Sequence, residues 1–141
     1  MHDLPAWVLL THAGSTLFLV GLAWFVFVVH YPLFARIPAE SFAGYEAAHV
    51  RRTTYVVAPV MLIEFATGLC IFVLAPAWPP GLVGIALLAA VWGLTFGVQV
   101  PQHRRLEAGL DLALVGRLVR THGIRTLAWT GRGAVAIWML A

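Results

Sequence analysis

Four of the six histidines in this chain fall into a repeated pattern. His30 and His49 are 19 residues apart, and so are His103 and His122. The second member of each pair opens the same short motif, His49-Val-Arg-Arg52-Thr53 in one place and His122-Gly-Ile-Arg125-Thr126 in the other. These identities share one offset of 73 residues, and Leu33/Leu106 and Ala35/Ala108 fall on it too. Neutral imidazole is the commonest metal ligand, and helical bundles build metal sites from inward-facing side chains on several helices. Glu46 and His49 form a Glu-x-x-His pair whose i, i+3 spacing puts both on one helix face, as in carboxylate-bridged two-metal bundles. Gln99, His103 and Glu107 follow at i, i+4 and i+8, which also predicts a shared face.

Only one Glu-x-x-His occurs, because the repeat counterpart of Glu46 is Val119. The expected site is therefore rich in histidine and poor in carboxylate. That composition suits iron, copper or zinc better than magnesium or calcium. The predicted ligands are His30, His49, His103, His122 and Glu46, with Glu46 also the candidate base and iron or copper ahead of zinc. A b-type haem with axial histidines from the same set is the alternative. Arg52 and Arg125 lie one turn beyond His49 and His122, where they could face haem propionates or an anionic substrate, cap the bundle or meet lipid headgroups. Together with Gln99 they are the candidate cofactor-binding residues.

The elements that must position these residues follow from composition. Of 141 residues, 61% are hydrophobic and 11% charged, against about 45–50% and about 25% in ordinary soluble domains. The mean hydropathy of +0.88 is too high for so small a core to absorb. Nine arginines, no lysine and a net charge of +3 on so apolar a chain argue against nucleic-acid binding. The lone Cys70 excludes a disulfide framework and a cysteine-based zinc site. Apolar stretches cover about 7–33, 55–74, 81–100 and 121–139, each near the roughly 20 residues that cross a bilayer. The first continues without a small-residue cleavage site, as in a retained span and not a signal peptide.

The short Pro-Ala-Trp-Pro-Pro connection at 76–80 predicts a tight turn. The other two connections carry Arg36, Arg51 and Arg52, and Arg104, Arg105, Arg117 and Arg120. The positive-inside rule makes both cytoplasmic and puts both termini outside. Pro38 suits a first helical position, Ser41 a cap, Gly109 a position just past a helix, and Asp111 an N-cap. A helix from Pro38 to Leu74 would be about 55 Å long, so the hairpins should project into the cytoplasm. The predicted fold is an all-α integral membrane four-helix bundle forming a single domain, 1–141. It comprises two tandem hairpins, about 5–75 and 81–141, related by a pseudo-twofold axis along the membrane normal. A multi-pass protein of a bacterial-type inner (plasma) membrane is the expected setting. A four-helix unit can also pair with itself or join a larger complex.

Glu64 and Arg132 fall at membrane depth, where ionisable residues are costly and mark function by default. They could pair, although the repeat register separates them by about five residues, near the limit of arginine's reach, or Glu64 could serve a proton relay. His12 has no repeat partner. Pro59 predicts a kink in the second helix, and Trp7, Trp78 and Trp138 suit an outer aromatic belt.

Two stretches carry a family resemblance. Val98-Gln-Val-Pro101-Gln-His103-Arg-Arg-Leu106 and His122-Gly-Ile-Arg125-Thr126-Leu-Ala-Trp129 together resemble the anthrone oxygenase-like family of small four-helix membrane proteins. There a Pro-x-Asn/His-x-x-Leu segment closes the third helix and an Arg-Thr segment opens the fourth. The resemblance implies oxygenase or related redox activity on a hydrophobic, often aromatic, substrate. His103 and His122 stand where that family often has asparagine, which points towards metal. His12, the Trp24 region and Ala58-Pro59-Val-Met61-Leu are similar to the membrane group that includes HemJ-type protoporphyrinogen oxidases and CopD-type copper proteins. The expected function is thus a metal-dependent membrane oxidoreductase whose hydrophobic substrate arrives from lipid between the hairpins. The rival expectations are a haem protein, and a non-catalytic subunit or small transporter that depends on Glu64 and Arg132.

Overall fold

The computed structural model describes residues 4–141. Four helices follow one another: α1 (Ala6–Arg36), α2 (Ala39–Leu74), α3 (Pro79–Leu106) and α4 (Leu112–Trp138). Ile37 turns to extended geometry before Pro38, which ends α1 and makes Pro38 the residue before α2, one place earlier than the sequence suggests. Pro79 and Pro80 form the first turn of α3, where their missing N–H groups cost nothing. Gly109 takes φ +138°, and the Asp111 side chain accepts from the Leu114 N–H at 2.9 Å to cap α4. α2 runs through Pro59 without interruption.

α1 and α3 each pack against α2 and α4, so the four helices form a bundle with α1 and α3 on one diagonal. Three of them, α1, α2 and α3, are long and apolar enough to cross a membrane. α4 is the exception to the expected fourth apolar stretch, because Arg117, Arg120, His122, Arg125 and Arg132 are spread along it. His122, Thr126 and Arg132 are all buried along it. Large apolar groups such as Trp7, Phe25, Leu62 and Leu127 are exposed instead. This inverts the usual placement in soluble domains and satisfies polar groups inside the protein, as a lipid surround demands.

Two helices contain a π-helical turn, Val26–His30 in α1 and Thr95–Gln99 in α3. Each ends two residues before a proline, Pro32 or Pro101. A proline ring clashes with the carbonyl four residues back, here Val28 or Gly97, and a wider turn relieves that clash. The consequence in α1 is a change of register. Its buried residues Val8, His12, Thr16, Leu19, Ala23 and Val26 are three or four apart, but the next are Tyr31 and Phe34. The inserted residue turns Tyr31 into the core where uninterrupted periodicity would have placed His30. The π-turns begin 69 residues apart, whereas α2 and α4 begin 73 apart. The single offset of 73 therefore describes α2 and α4 only. In α1 and α3 the position matching His30 is Gln99, not His103.

In the half of the bundle nearest the termini, Glu64 and Arg132 pair directly through Glu64 Oε1. The arginine side chain spans the separation that looked marginal from register. Thr16 donates to the same carboxylate oxygen at 3.3 Å, and Arg132 Nη1 donates to the Gly84 carbonyl. One buried ion pair thus ties all four helices together, with His12 and Thr67 in contact at 3.0 Å beside it. Removing one partner strands a buried charge, which costs about 3–5 kcal/mol, whereas an apolar replacement of both is nearly neutral. Arg132→Met should therefore lower the unfolding midpoint in detergent sharply, and Glu64→Leu combined with it should restore most of the loss.

Candidate functional site

At the opposite end of the bundle, the side chains singled out by the repeat gather around Tyr31. His30 Nε2 lies 2.9 Å from His49 Nδ1, and Thr53 Oγ1 is 3.1 Å from that same His49 nitrogen. The His49 and His103 ring centroids are 5.4 Å apart. The Tyr31 ring centre is 5.4 Å from that of His103 and 4.8 Å from that of His122. Phe34 closes one side with edge contacts at 5.2 Å to both His30 and His49. α1 supplies His30 and Tyr31, α2 supplies Glu46 and His49, α3 supplies His103 and α4 supplies His122.

Hydrogen bonds sort these groups by role. Glu46 Oε1 is 2.5 Å from His103 Nδ1, and His103 Nε2 is 2.8 Å from the Tyr31 hydroxyl. A carboxylate only accepts, so Nδ1 carries a proton and, in the neutral ring, Nε2 accepts from Tyr31. The result is a straight hydroxyl–imidazole–carboxylate line whose far end, Glu46, is wholly buried. His122 is held differently. Its Nε2 donates to the Ala23 carbonyl at 3.1 Å, and its Nδ1 accepts from Arg125 Nη2 at 3.0 Å. Arginine only donates, so His122 must be neutral with its proton on Nε2.

Among the described residues, no three His, Cys, Asp or Glu side chains converge as metal ligands do. The hydrogen bonds explain why the expected set divides. Both ring nitrogens of His103 and both of His122 are already engaged, whereas His30 and His49 meet nitrogen to nitrogen. Metal–imidazole bonds of about 2.0–2.1 Å place neighbouring ligand nitrogens about 3 Å apart, close to the spacing of this pair. Two rings in such contact leave no room for a macrocycle between them.

The remaining candidates are dispersed. Gln99 points to α4, its Nε2 donating to Thr121 Oγ1 at 2.8 Å while its buried Oε1 has no partner. Glu107 lies past the end of α3 and is exposed, so it does not share the inward face of His103. Arg52 is exposed at the rim of a cavity of about 480 Å³ between α1 and α2. Its wall is mostly apolar, from Leu22, Phe25, Val26, Val56 and Val57, with His30 and His49 as polar points. A smaller space of about 40 Å³ shares Leu22, Val26, Thr53 and Val57 with it and reaches Tyr31, His122 and Arg125. Of the two expected catalytic carboxylates, neither lines these spaces: Glu46 reaches the cluster through His103, whereas Glu64 lies on Arg132 in the other half of the bundle.

The residue that sequence reasoning missed is Tyr31. Strict helical periodicity turns it outward, and only the proline immediately after it signals the altered turn. Comparison with protein-family models, curated proteins and solved structures finds no match to this chain.

The π-turn itself is braced from α4. A Cβ added at Gly123 would sit 2.8 Å from Phe27 Cε2, so the glycine lets the Phe27 ring lie against α4 beside His122. Forced overpacking of this kind costs about 1–3 kcal/mol. Gly123→Ala should lower the unfolding midpoint by that order and broaden the histidine NMR signals of the cluster.

Proposed function

We propose that this protein is an integral membrane oxidoreductase acting on a hydrophobic small molecule. In this reading all four helices span, the termini lie outside, and the arginine-rich connections face the cytoplasm of a bacterial-type cell. Two related hairpins then meet at the histidine cluster. Support for the duplication comes from the two π-turns before prolines and from His49 and His122, which hold the same place in α2 and α4. The substrate enters sideways from lipid through the apolar cavity between α1 and α2.

The observation that carries the reading is the line from Tyr31 through His103 to Glu46, whose Tyr31 end borders the small space that shares a wall with that cavity. Such a line withdraws a proton without exposing a charge to lipid. As a substrate O–H gives its proton to the Tyr31 oxygen, the tyrosine proton passes to His103 Nε2 and the Nδ1 proton passes to Glu46. Glu46 ends neutral, and the substrate is left as an oxyanion that is easily oxidised. Iron or copper held by His30 and His49 would supply the electron acceptor, a role closed to redox-inert zinc.

Elemental analysis and an absorption spectrum on one detergent-purified sample test the reading. We expect iron or copper at about one per chain, lost in His30→Ala and His49→Ala. Tyr31→Phe should retain the metal but no longer oxidise an alkyl hydroquinone under air. A Soret band would move the assignment to haem. No metal, together with an unchanged spectrum and stability in the His49→Ala, His122→Ala double variant, would overturn it.

A further inference from the structure

The geometry points to Arg125 as the receptor for an anionic oxygen head on the molecule bound between α1 and α2. This inference rests on the reading of that cavity as a substrate site and names the class of substrate. Among the described residues two carboxylates meet a basic side chain, Glu46 the neutral His103 ring and Glu64 the Arg132 guanidinium. Arg125 meets neither. Its Nη1 donates to Thr95 Oγ1 at 3.2 Å and its Nη2 to His122 Nδ1 at 3.0 Å, both neutral acceptors, and its buried Nε has no partner. The two arginines of the bundle interior thus differ: Arg132 carries its counter-ion within the chain, and Arg125 has none.

A guanidinium inside an apolar bundle is expensive without a negative partner. Arg125 faces a place where a partner could arrive, the small space of about 40 Å³ that it lines with Tyr31, Thr53 and His122. That volume exceeds the roughly 10–15 Å³ needed for one water and suits a head of a few atoms, such as a carboxylate or a phenolate oxygen. The adjoining cavity of about 480 Å³ has the apolar wall that an alkyl or aromatic body requires. His122 fixes the guanidinium from behind. Because its Nε2 is tied to the Ala23 carbonyl, its Nδ1 lone pair stays aimed at Arg125. The ligand chemistry is therefore a lipophilic acid, its ionised oxygen on Arg125 and within reach of the Tyr31 line.

The test uses the full chain in neutral detergent, with tryptophan fluorescence reporting binding of myristate and of myristyl alcohol, which differ only in the head. We expect the wild-type protein to bind myristate about tenfold or more tightly than the alcohol. Arg125→Gln should abolish that preference by weakening myristate alone, Arg125→Lys should keep part of it, and Arg117→Gln on the exposed face of α4 should leave it intact. Equal binding of acid and alcohol by the wild-type protein would overturn the assignment without recourse to any variant. So would competition by phosphatidylglycerol as strong as that of myristate, since the occupant would then be a lipid phosphate. Tyr31→Phe separates the two proposals: it should keep the preference for the acid, so retained discrimination without turnover sustains Arg125 whether or not the redox reading holds.

Discussion

A carboxylate and a guanidinium far from water must find each other, and in this bundle the pair Glu64–Arg132 does so where all four helices meet. Most of the remaining architecture follows from that requirement. α2 and α4 can slide along each other only as far as the pair allows, Thr16 fixes the height of α1, and the Gly84 carbonyl fixes that of α3. The pair adds little net stability beyond what an apolar core would supply, because desolvation consumes most of the Coulombic gain. Its contribution is to register. A helix slipped by one turn would leave both charges stranded in an apolar interior.

With the half of the bundle nearest the termini fixed, the histidine end is built by a local irregularity. After an ordinary helical turn Pro32 would crowd the Val28 carbonyl, and the wider π-turn that precedes it relieves the crowding and rotates the remainder of α1. Tyr31 becomes a buried centre and His30 moves to the edge, against His49 and the open cavity. The same rotation sets the hydroxyl of Tyr31 on His103, and through it on Glu46. The π-turn ahead of Pro32 thereby decides which aromatic residue faces the histidine cluster.

The two ends of the bundle also differ in how their charges are settled. At the end nearest the termini, the chain neutralises its own arginine. At the opposite end Glu46 is met by an imidazole and Arg125 only by neutral acceptors. This division leaves one carboxylate and one guanidinium without an opposite charge in the half of the bundle that holds Tyr31. In the reaction proposed above, proton withdrawal through the tyrosine and attraction of an oxyanion by the arginine would act in the same direction.

Composition made the helical, lipid-facing character of the chain legible, because an apolar excess with few charges has nowhere else to go. The motif spacing identified His30, His49, His103, His122 and Arg125 as belonging together, and the caps at Gly109 and Asp111 were visible from residue type alone. The sequence also marked Glu64 and Arg132 as unusual, since charges at that depth need a reason. Tertiary structure decided the rest. It alone showed that the long arginine side chain closes the gap to Glu64, and that His122, Thr126 and Arg132 of α4 are buried against the other helices. It alone brought Tyr31 to the centre, because a π-turn shifts side chains by an amount that regular periodicity cannot anticipate. The four histidines received distinct roles for the same reason: a hydrogen bond is set by angles between helices, and these are fixed only when the whole bundle has packed.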